Sequence, residues 1–364
     1  MQGPRSPAPH EMPRVIDFLD RNLRPQGEWS IAQEYPTAFH NSNLENIRII
    51  TDPQNDVLSH AVIKPIILQS PLGLCKVATI GSVVTQPENR QQGLSHAVLK
   101  DCLQRAEQAG CEMAILWTDL FDFYRKLGFE LAGSEITCAI DQPLQLEPTP
   151  LRFHKGANVD PQALLKVFNQ HTVHSLRSAE DFRQFLAIPN SRVYTAWNPD
   201  GALAAFGVEG KGADLTGYIH EWGGGVKALL ALFQHIYNDQ GRTLHVILPS
   251  HAQNLIAQLR SQGLQIFTGY LGMMKILQPH TLSHKLQRFA RAIGLADFII
   301  EWKNGELQLG RPGRLFTMQD ERRITKLLFG PQPTQELLPT DDATAELLQR
   351  VLPVPLWFWG WDSL

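Results

Sequence analysis

Cysteine is scarce: the 364 residues hold four. Cys75, Cys102, Cys111 and Cys138 include no C-x-x-C pair and no zinc-type spacing, so reduced thiols are expected rather than a disulfide framework or a zinc knuckle. Long hydrophobic runs are missing too. No apolar stretch reaches membrane-spanning length, and the opening residues, broken by Pro4, Pro7, Pro9 and Pro13, lack the apolar core of a signal peptide. A soluble, cytoplasmic protein is the expectation. Neither sign of charge dominates: 33 Lys and Arg against 36 Asp and Glu leave a formal charge of −3. That balance gives no reason to expect nucleic acid or an anionic membrane as a partner. His220-Glu221 begins like H-E-x-x-H, but Gly224 stands in place of the second His, so no metal is expected.

What is present is length and order. A chain of 364 residues exceeds one ordinary compact core and predicts two or three domains. Val15, Ile16, Phe18, Leu19 and Leu23 keep a helical period over residues 12–23, and residues 28–43 read as a polar, aromatic loop. Residues 48–51, 57–68 and 73–85 read as three strands, joined by turns at 52–56 and 69–73. The third strand runs into the stretch around which the rest is organised. Ile80 to Thr85 is β-branched and apolar, Pro87 stops it, and a polar turn Arg90-Gln91-Gln92-Gly93 leads into a helix with Leu94, Ala97, Val98, Leu103 and Ala106 on one face. A strand, a glycine turn and a helix start aim several unpaired backbone N–H groups at one point, with the positive end of the helix dipole behind them. Such a point binds an anion such as a pyrophosphate. Gly93 removes the side chain that would block its approach.

Arg90-Gln91-Gln92-Gly93-Leu94-Ser95 resembles the R/Q-x-x-G-x-G/A acetyl-CoA motif of the GNAT N-acetyltransferases, with Ser95 in place of the usual Gly or Ala and Gln91 where a second Gly is common. One helix later, Ile115 to Glu130 resembles the next GNAT block: a strand, a short helix and the ending Tyr124-x-x-x-Gly128-Phe129. The resemblance covers residues 12–141 and implies a mixed, mainly antiparallel sheet flanked by helices, closed by a strand at 133–141. Its fold class is mixed α/β.

A proline-rich linker, residues 142–150, precedes a second unit at 151–278. There, strands at 192–197, 202–208 and 213–222, helix 226–237, strand 244–248 and helix 252–262 repeat the order of the first. The turn after Trp222 is only Gly223-Gly224-Gly225, without R-x-x-G, so this unit reads as a degenerate GNAT-like domain. Residues 279–364 hold helix 284–293, a hairpin around Asn304-Gly305, helix 320–329 and an aromatic tail. Two GNAT-like units followed by a small sterol-carrier-like domain resemble the Eis-type acetyltransferases. Residues 1–11 are expected to be flexible.

The resemblance also implies a chemistry. The backbone of Val83, Val84 and Thr85 would pair with the pantetheine arm of acetyl-CoA, and one of these N–H groups would stabilise the oxyanion. Access of this kind requires the strand to part from its neighbour, usually at a bulge. Gln91, Gln92, Gly93, Leu94, Ser95 and His96 would surround the pyrophosphate, with Arg90 adding charge. Asp119 and Leu120 line the same wall in the family, and Asp119 is equally placed to cap the next helix. Tyr124 is the candidate general acid, since a phenol of pKa about 10 suits a departing thiolate. Eis-type enzymes place the terminal carboxylate, here that of Leu364, in the active site as a base. Glu34 and His40 are the other candidate bases or substrate contacts.

The expectation is an N-acetyltransferase acting on a small-molecule or peptide amine, without a metal, and by analogy a homo-oligomer. The alternative is a non-catalytic acyl-CoA-binding sensor or scaffold.

Overall fold

The computed structural model describes residues 1–338 and 342–364. The first part of the chain comprises β1 (Gln2–Arg5), α1 (Met12–Leu23), α2 (Ile31–Glu34), β2 (Ile47–Thr51), β3 (Val57–Ser70), β4 (Gly73–Thr85), α3 (Leu94–Gln108), β5 (Met113–Leu116), α4 (Phe121–Arg125) and β6 (Glu130–Ile140). The next comprises β7 (Arg152–Lys155), α5 (Pro161–Phe168), β8 (His174–Ser175), α6 (Ala179–Leu186), β9 (Arg192–Trp197), β10 (Leu203–Lys211), β11 (Asp214–Gly224), α7 (Val226–Gln240), β12 (Leu244–Pro249), α8 (Gln253–Ser261) and β13 (Gln265–Ile276). The last holds α9 (Pro279–Ala292), β14 (Ile299–Lys303), β15 (Glu306–Arg311), β16 (Arg314–Met318), α10 (Glu321–Phe329), α11 (Thr334–Leu337) and α12 (Asp342–Gln349).

One 13-stranded sheet joins the first two parts, in the order β1-β2-β3-β4-β5-β13-β6-β12-β11-β10-β9-β7, with β8 added on β3. Its pairings are antiparallel except β4 with β5 and β11 with β12, the mainly antiparallel mixed sheet of the GNAT fold. The segment β9-β10-β11-α7-β12-α8 repeats the order β2-β3-β4-α3-β5-α4. The two parts exchange strands. β13 lies between β5 and β6, pairing Met273 with Leu116 on one side and with Leu131 on the other. β6 in turn pairs with β12, from Leu244–Ile140 to Pro249–Glu135.

The expectation that residues 133–141 close the first sheet is therefore corrected: β13 sits against β5, and β6 bridges to the second part. Alternation within a strand identifies the strand; it does not say which free edge the strand will join. The N-terminus is also corrected. Gln2–Arg5 pairs antiparallel with β2, and the Arg5 guanidinium bonds both carboxylate oxygens of Glu11 at 2.7 Å, so residues 1–11 are tied down. That pairing holds the Glu11 carboxyl down at about 2.

α3 buries Leu94, Val98, Leu99, Cys102, Leu103 and Ala106 against the first sheet, the face that its period predicts. Each fully buried apolar side chain of Leu or Val size stabilises by roughly 1.5–3 kcal/mol, so the helix that presents the turn is firmly seated. The largest core cluster runs from β4 and β6 through the second part to Trp357, Phe358, Trp359 and Trp361, so the aromatic tail is core rather than appendage. Among the described residues, no helix is long and apolar enough to cross a membrane.

Candidate active site

The parallel pairing of β4 with β5 ends at Thr79–Ile115, while β4 runs on to Thr85 and β5 ends at Leu116. A wedge opens between them. On its other side β4 carries a bulge: between the pairs His60–Val84 and Val62–Gly81, the single residue Ala61 faces both Ser82 and Val83. Ser82 adopts φ +48°, a left-handed conformation that serine rarely takes. The buried His60 fixes this kink, because its Nδ1–H donates to the Ser82 carbonyl at 2.7 Å. Burial holds the His60 imidazole down at about 4, so the ring is neutral and the proton sits on Nδ1.

At the end of β4 the hydroxyls of Ser59, Thr85 and Ser95 form a chain, with Oγ–Oγ1 distances of 2.8 and 2.6 Å, that ties strand to helix. Ser95 is thus engaged with Thr85. The turn itself is bare. Gln91 and Gly93 have φ of +63° and +78°, and Arg90, Gln91, Gln92, Gly93 and His96 are exposed. No side chain caps α3, so the N–H groups of its first turn are left to a ligand. A Cβ built on Gly93 meets nothing within 4 Å. The Arg90 Nε lies 3.4 Å from the Thr85 carbonyl, folded back along the turn. These features fit a pyrophosphate. Across the wedge, Asp119 and Leu120 are exposed; the Leu120 N–H is bonded by the Thr118 hydroxyl at 3.0 Å, so Thr118 and not Asp119 serves the start of α4.

Tyr124 is buried on α4, edge-on to Phe123 and Phe129 at 5.0 and 6.0 Å between ring centroids. Its hydroxyl makes no hydrogen bond among the described residues, and burial raises it to about 12. Gly128 closes this helix at φ +85°, and Phe129 N–H returns to the Tyr124 carbonyl at 3.2 Å.

Beyond Gly81 lies a cavity of about 410 Å³, whose lining includes Tyr35, Trp117, Glu135, Asp214, Trp357 and Leu364. The last residue of the chain reaches the bulge: a Cβ on Gly81 would stand 2.8 Å from the Leu364 carboxyl carbon and 2.4 Å from its Cβ. Tyr35 donates its hydroxyl to Asp214, which also pairs with Arg24 at 3.2 Å. Glu135 has no hydrogen-bond or ionic partner among the described residues, and burial lifts its carboxyl from 4.5 to about 7. A carboxyl raised in this way supports folding fully below about pH 4.5, and that support is lost as pH rises through 7. Glu135→Gln should therefore melt at a higher temperature than the wild type at pH 8 and near the same temperature at pH 4.5, as thermal melts at the two pH values will show.

Neither of the two expected substrate contacts lines the cavity. Glu34 is fully buried, and its oxygens are bonded by Arg24 Nε at 2.7 Å, Trp29 Nε1 at 2.7 Å and the Ala213 N–H at 3.0 Å. It clamps α2 to the β10–β11 turn and has no free lone pair to serve as a base. His40 is exposed and bonds Ser42 through Nδ1, capping a short 3-10 turn. Tyr35, Gly81, Glu135 and Asp214 were not foreseen. Only Gly81 had a signal, since a glycine inside a strand pattern marks a bulge or a close approach.

The corresponding wedge of the second part is closed. β11 and β12 pair only at Tyr218–His245 and Ile219–Val246, after which Trp222 Nε1–H crosses the gap to the Ile247 carbonyl at 2.9 Å. The Trp359 ring stands against Trp222 at 5.0 Å.

Residues 4–132 match the family model of the acetyltransferase (GNAT) domain. Over this stretch the chain is similar in sequence to GNAT domains. GNAT domains take acyl-CoA as co-substrate. Solved structures extend the likeness over the whole chain as a matter of fold. A conserved protein from Enterococcus faecalis V583, described as a probable N-acyltransferase, is 16% identical with TM-score 0.66 over 97% of this chain and 96% of that one. A GCN5-related N-acetyltransferase from Anabaena variabilis is 13% identical with TM-score 0.66 over 99% of both chains. Eis1 from Mycobacterium abscessus is 13% identical with TM-score 0.59 over 99% of this chain and 98% of that one. No curated protein matches the chain.

Proposed function

We propose that the chain is an acetyl-CoA-dependent N-acetyltransferase that acts by direct attack of a primary amine, with residues 12–141 carrying the reaction and residues 151–278 lacking a cofactor site. The observation that supports this most is the bulged, parted end of β4, which joins a bare anion-binding turn to an acidic cavity. Acetyl-CoA would lie along Val83, Val84 and Thr85, its pyrophosphate at the α3 turn among Arg90, Gln91, Gln92, Gly93, Leu94, Ser95 and His96, and its pantetheine passing Asp119 and Leu120. The acceptor amine would enter from the cavity.

An alkylammonium of pKa about 10 must lose a proton before it attacks. The Leu364 carboxylate takes that proton, and Glu135, titrating near 7, shares the cavity and can hold it at neutral pH. The nitrogen bonds to the thioester carbon, a β4 backbone N–H stabilises the oxyanion, and the C–S bond then breaks. Tyr124 donates its proton to the leaving thiolate, and the second proton that the nitrogen sheds as the amide forms returns the phenol to its neutral form. The acidic lining favours a cationic acceptor.

Release of free thiol from acetyl-CoA, measured with diamines, amino acids and a lysine peptide, tests this. Amine-dependent turnover is the expected result. Tight acetyl-CoA binding with no turnover for any amine overturns the enzyme in favour of an acyl-CoA sensor.

A further inference from the structure

The C-terminal tail that reaches Gly81 is packed against the second part of the chain by its aromatic side chains, and two buried cations bond it there as well. Lys211, at the end of β10, is 1% exposed. Its Nζ donates to the Gly360 carbonyl at 2.9 Å, the Ser363 carbonyl at 2.6 Å and the Ser363 hydroxyl at 3.3 Å. All three ammonium donors thus face the tail, and the Ser363 carbonyl belongs to the peptide bond leading into Leu364. No carboxylate lies within ion-pair distance of Lys211 among the described residues; the other neighbour is the Tyr35 ring, 4.4 Å from Nζ. Burying an ammonium without a counter-ion is costly, and burial lowers it to about 8. An apolar side chain would fill this place at less expense. What the ammonium adds is capture of two tail carbonyls.

Arg177 repeats the device one step back. Its side chain is 2% exposed and bridges Glu221 on β11, at 2.7 Å, to Asp362 on the tail, at 2.8 Å. Burial works to lower its pKa, and the two carboxylates overcome it, so the guanidinium stays charged. Ser175 adds a hydroxyl to Asp362 at 2.7 Å, and the Trp361 N–H a bond to Glu221 at 3.2 Å. Gly360 passes so close to His220 that a Cβ there would meet the ring at 1.9 Å.

We infer that Lys211 and Arg177 are positioning residues for the reaction centred on β4, and that the second part of the chain, its own wedge closed, acts as the clamp that aims Leu364 at Gly81. This inference rests on the proposed role of the Leu364 carboxylate.

Two measurements on the full chain separate the clamp from that role: the rate at which carboxypeptidase A releases Leu364, followed by mass spectrometry, and kcat and KM for acetyl transfer. Lys211→Met should release Leu364 on the order of 10-fold faster and lose roughly 10²-fold in kcat, with KM for acetyl-CoA unchanged, and Lys211→Arg should recover part of both. Asp362→Asn, a change on the tail that leaves the body of the fold intact, should move both readouts the same way and replaces Lys211→Met if that variant does not fold. Leu364 equally protected in these variants overturns the clamp and leaves the role of Leu364 standing. A loosened tail with unchanged kcat overturns the positioning role together with the reading of Leu364.

Discussion

Tyr124→Phe should lower kcat for acetyl transfer by roughly 10²–10⁴-fold, the usual contribution of a positioned general acid, while acetyl-CoA binds within about twofold of wild type. The structure makes this substitution informative because it removes little else. The ring keeps its edge contacts with Phe123 and Phe129, and the hydroxyl has no hydrogen-bond partner among the described residues to leave unsatisfied. Stability should therefore hold or rise slightly. Burial keeps the phenol protonated, at about 12, across the whole neutral range, so it enters each turnover as a donor. Steady-state kinetics and calorimetric titration of acetyl-CoA decide the matter together. An unchanged kcat removes Tyr124 from the chemistry, and a lost kcat with lost acetyl-CoA binding makes it a wall of the cofactor site instead.

The strand–turn–helix from Ile80 to Leu99 and the Tyr124-x-x-x-Gly128-Phe129 ending could be read in the sequence because local rules write both. A proline ends the strand, a left-handed glycine opens the helix, and the apolar period of α3 needs no distant partner. The same holds for α1, whose periodic stretch at residues 12–23 coincides with the helix. What stayed hidden is set by long-range pairing. β6 and β13 pair residues that lie from 126 (Gln265–Ala139) to 144 (Met274–Glu130) positions apart, and nothing in either strand specifies the exchange. Gln2–Arg5 looked mobile because prolines suggest it, yet an edge strand tolerates Pro4.

Side-chain roles divide in the same way. Glu34 and His40 read as isolated titratable groups in a polar loop; Glu34 is consumed by Arg24, Trp29 and the distant Ala213 N–H, and His40 by its neighbour Ser42. Glu135 and Asp214 give no sign in the sequence, since their meaning comes from a cavity assembled from all three parts of the chain, and neither does Lys211, whose partners lie on the tail about 150 residues away. Residue spacing reveals a site built on one turn; it is silent about a site built across a sheet.

Gly81→Ala should lower kcat by on the order of 10²-fold, the cost of displacing a reacting group by about an ångström. The backbone at Gly81 is not left-handed, and Gly81 pairs with Val62 in an ordinary register, so alanine is compatible with β4 itself. Its methyl, however, would lie 2.4 Å from Leu364 Cβ and 2.8 Å from the carboxyl carbon, distances that real contacts do not reach. Gly81 belongs to β4, which the sheet holds on both sides of the bulge, whereas Leu364 lies one residue beyond Ser363, the last point at which Lys211 holds the tail. Leu364 is therefore what moves. Two consequences, one in stability and one in kcat, separate this from a general loss of fit. Gly81→Ala should keep wild-type stability, because the clash is relieved at a chain end. Deleting Leu364 in the Gly81→Ala background should also cost much less than deleting it in the wild type, since both changes remove the same carboxylate from the same place and sites acting through one group are not additive. Additive losses would instead mean that Gly81 matters for the thioester and Leu364 for something else. An unchanged kcat in Gly81→Ala would show that the terminal carboxylate need not stand at the bulge for the amine to be deprotonated, and Glu135 would then be left as the carboxyl in the cavity able to take the proton.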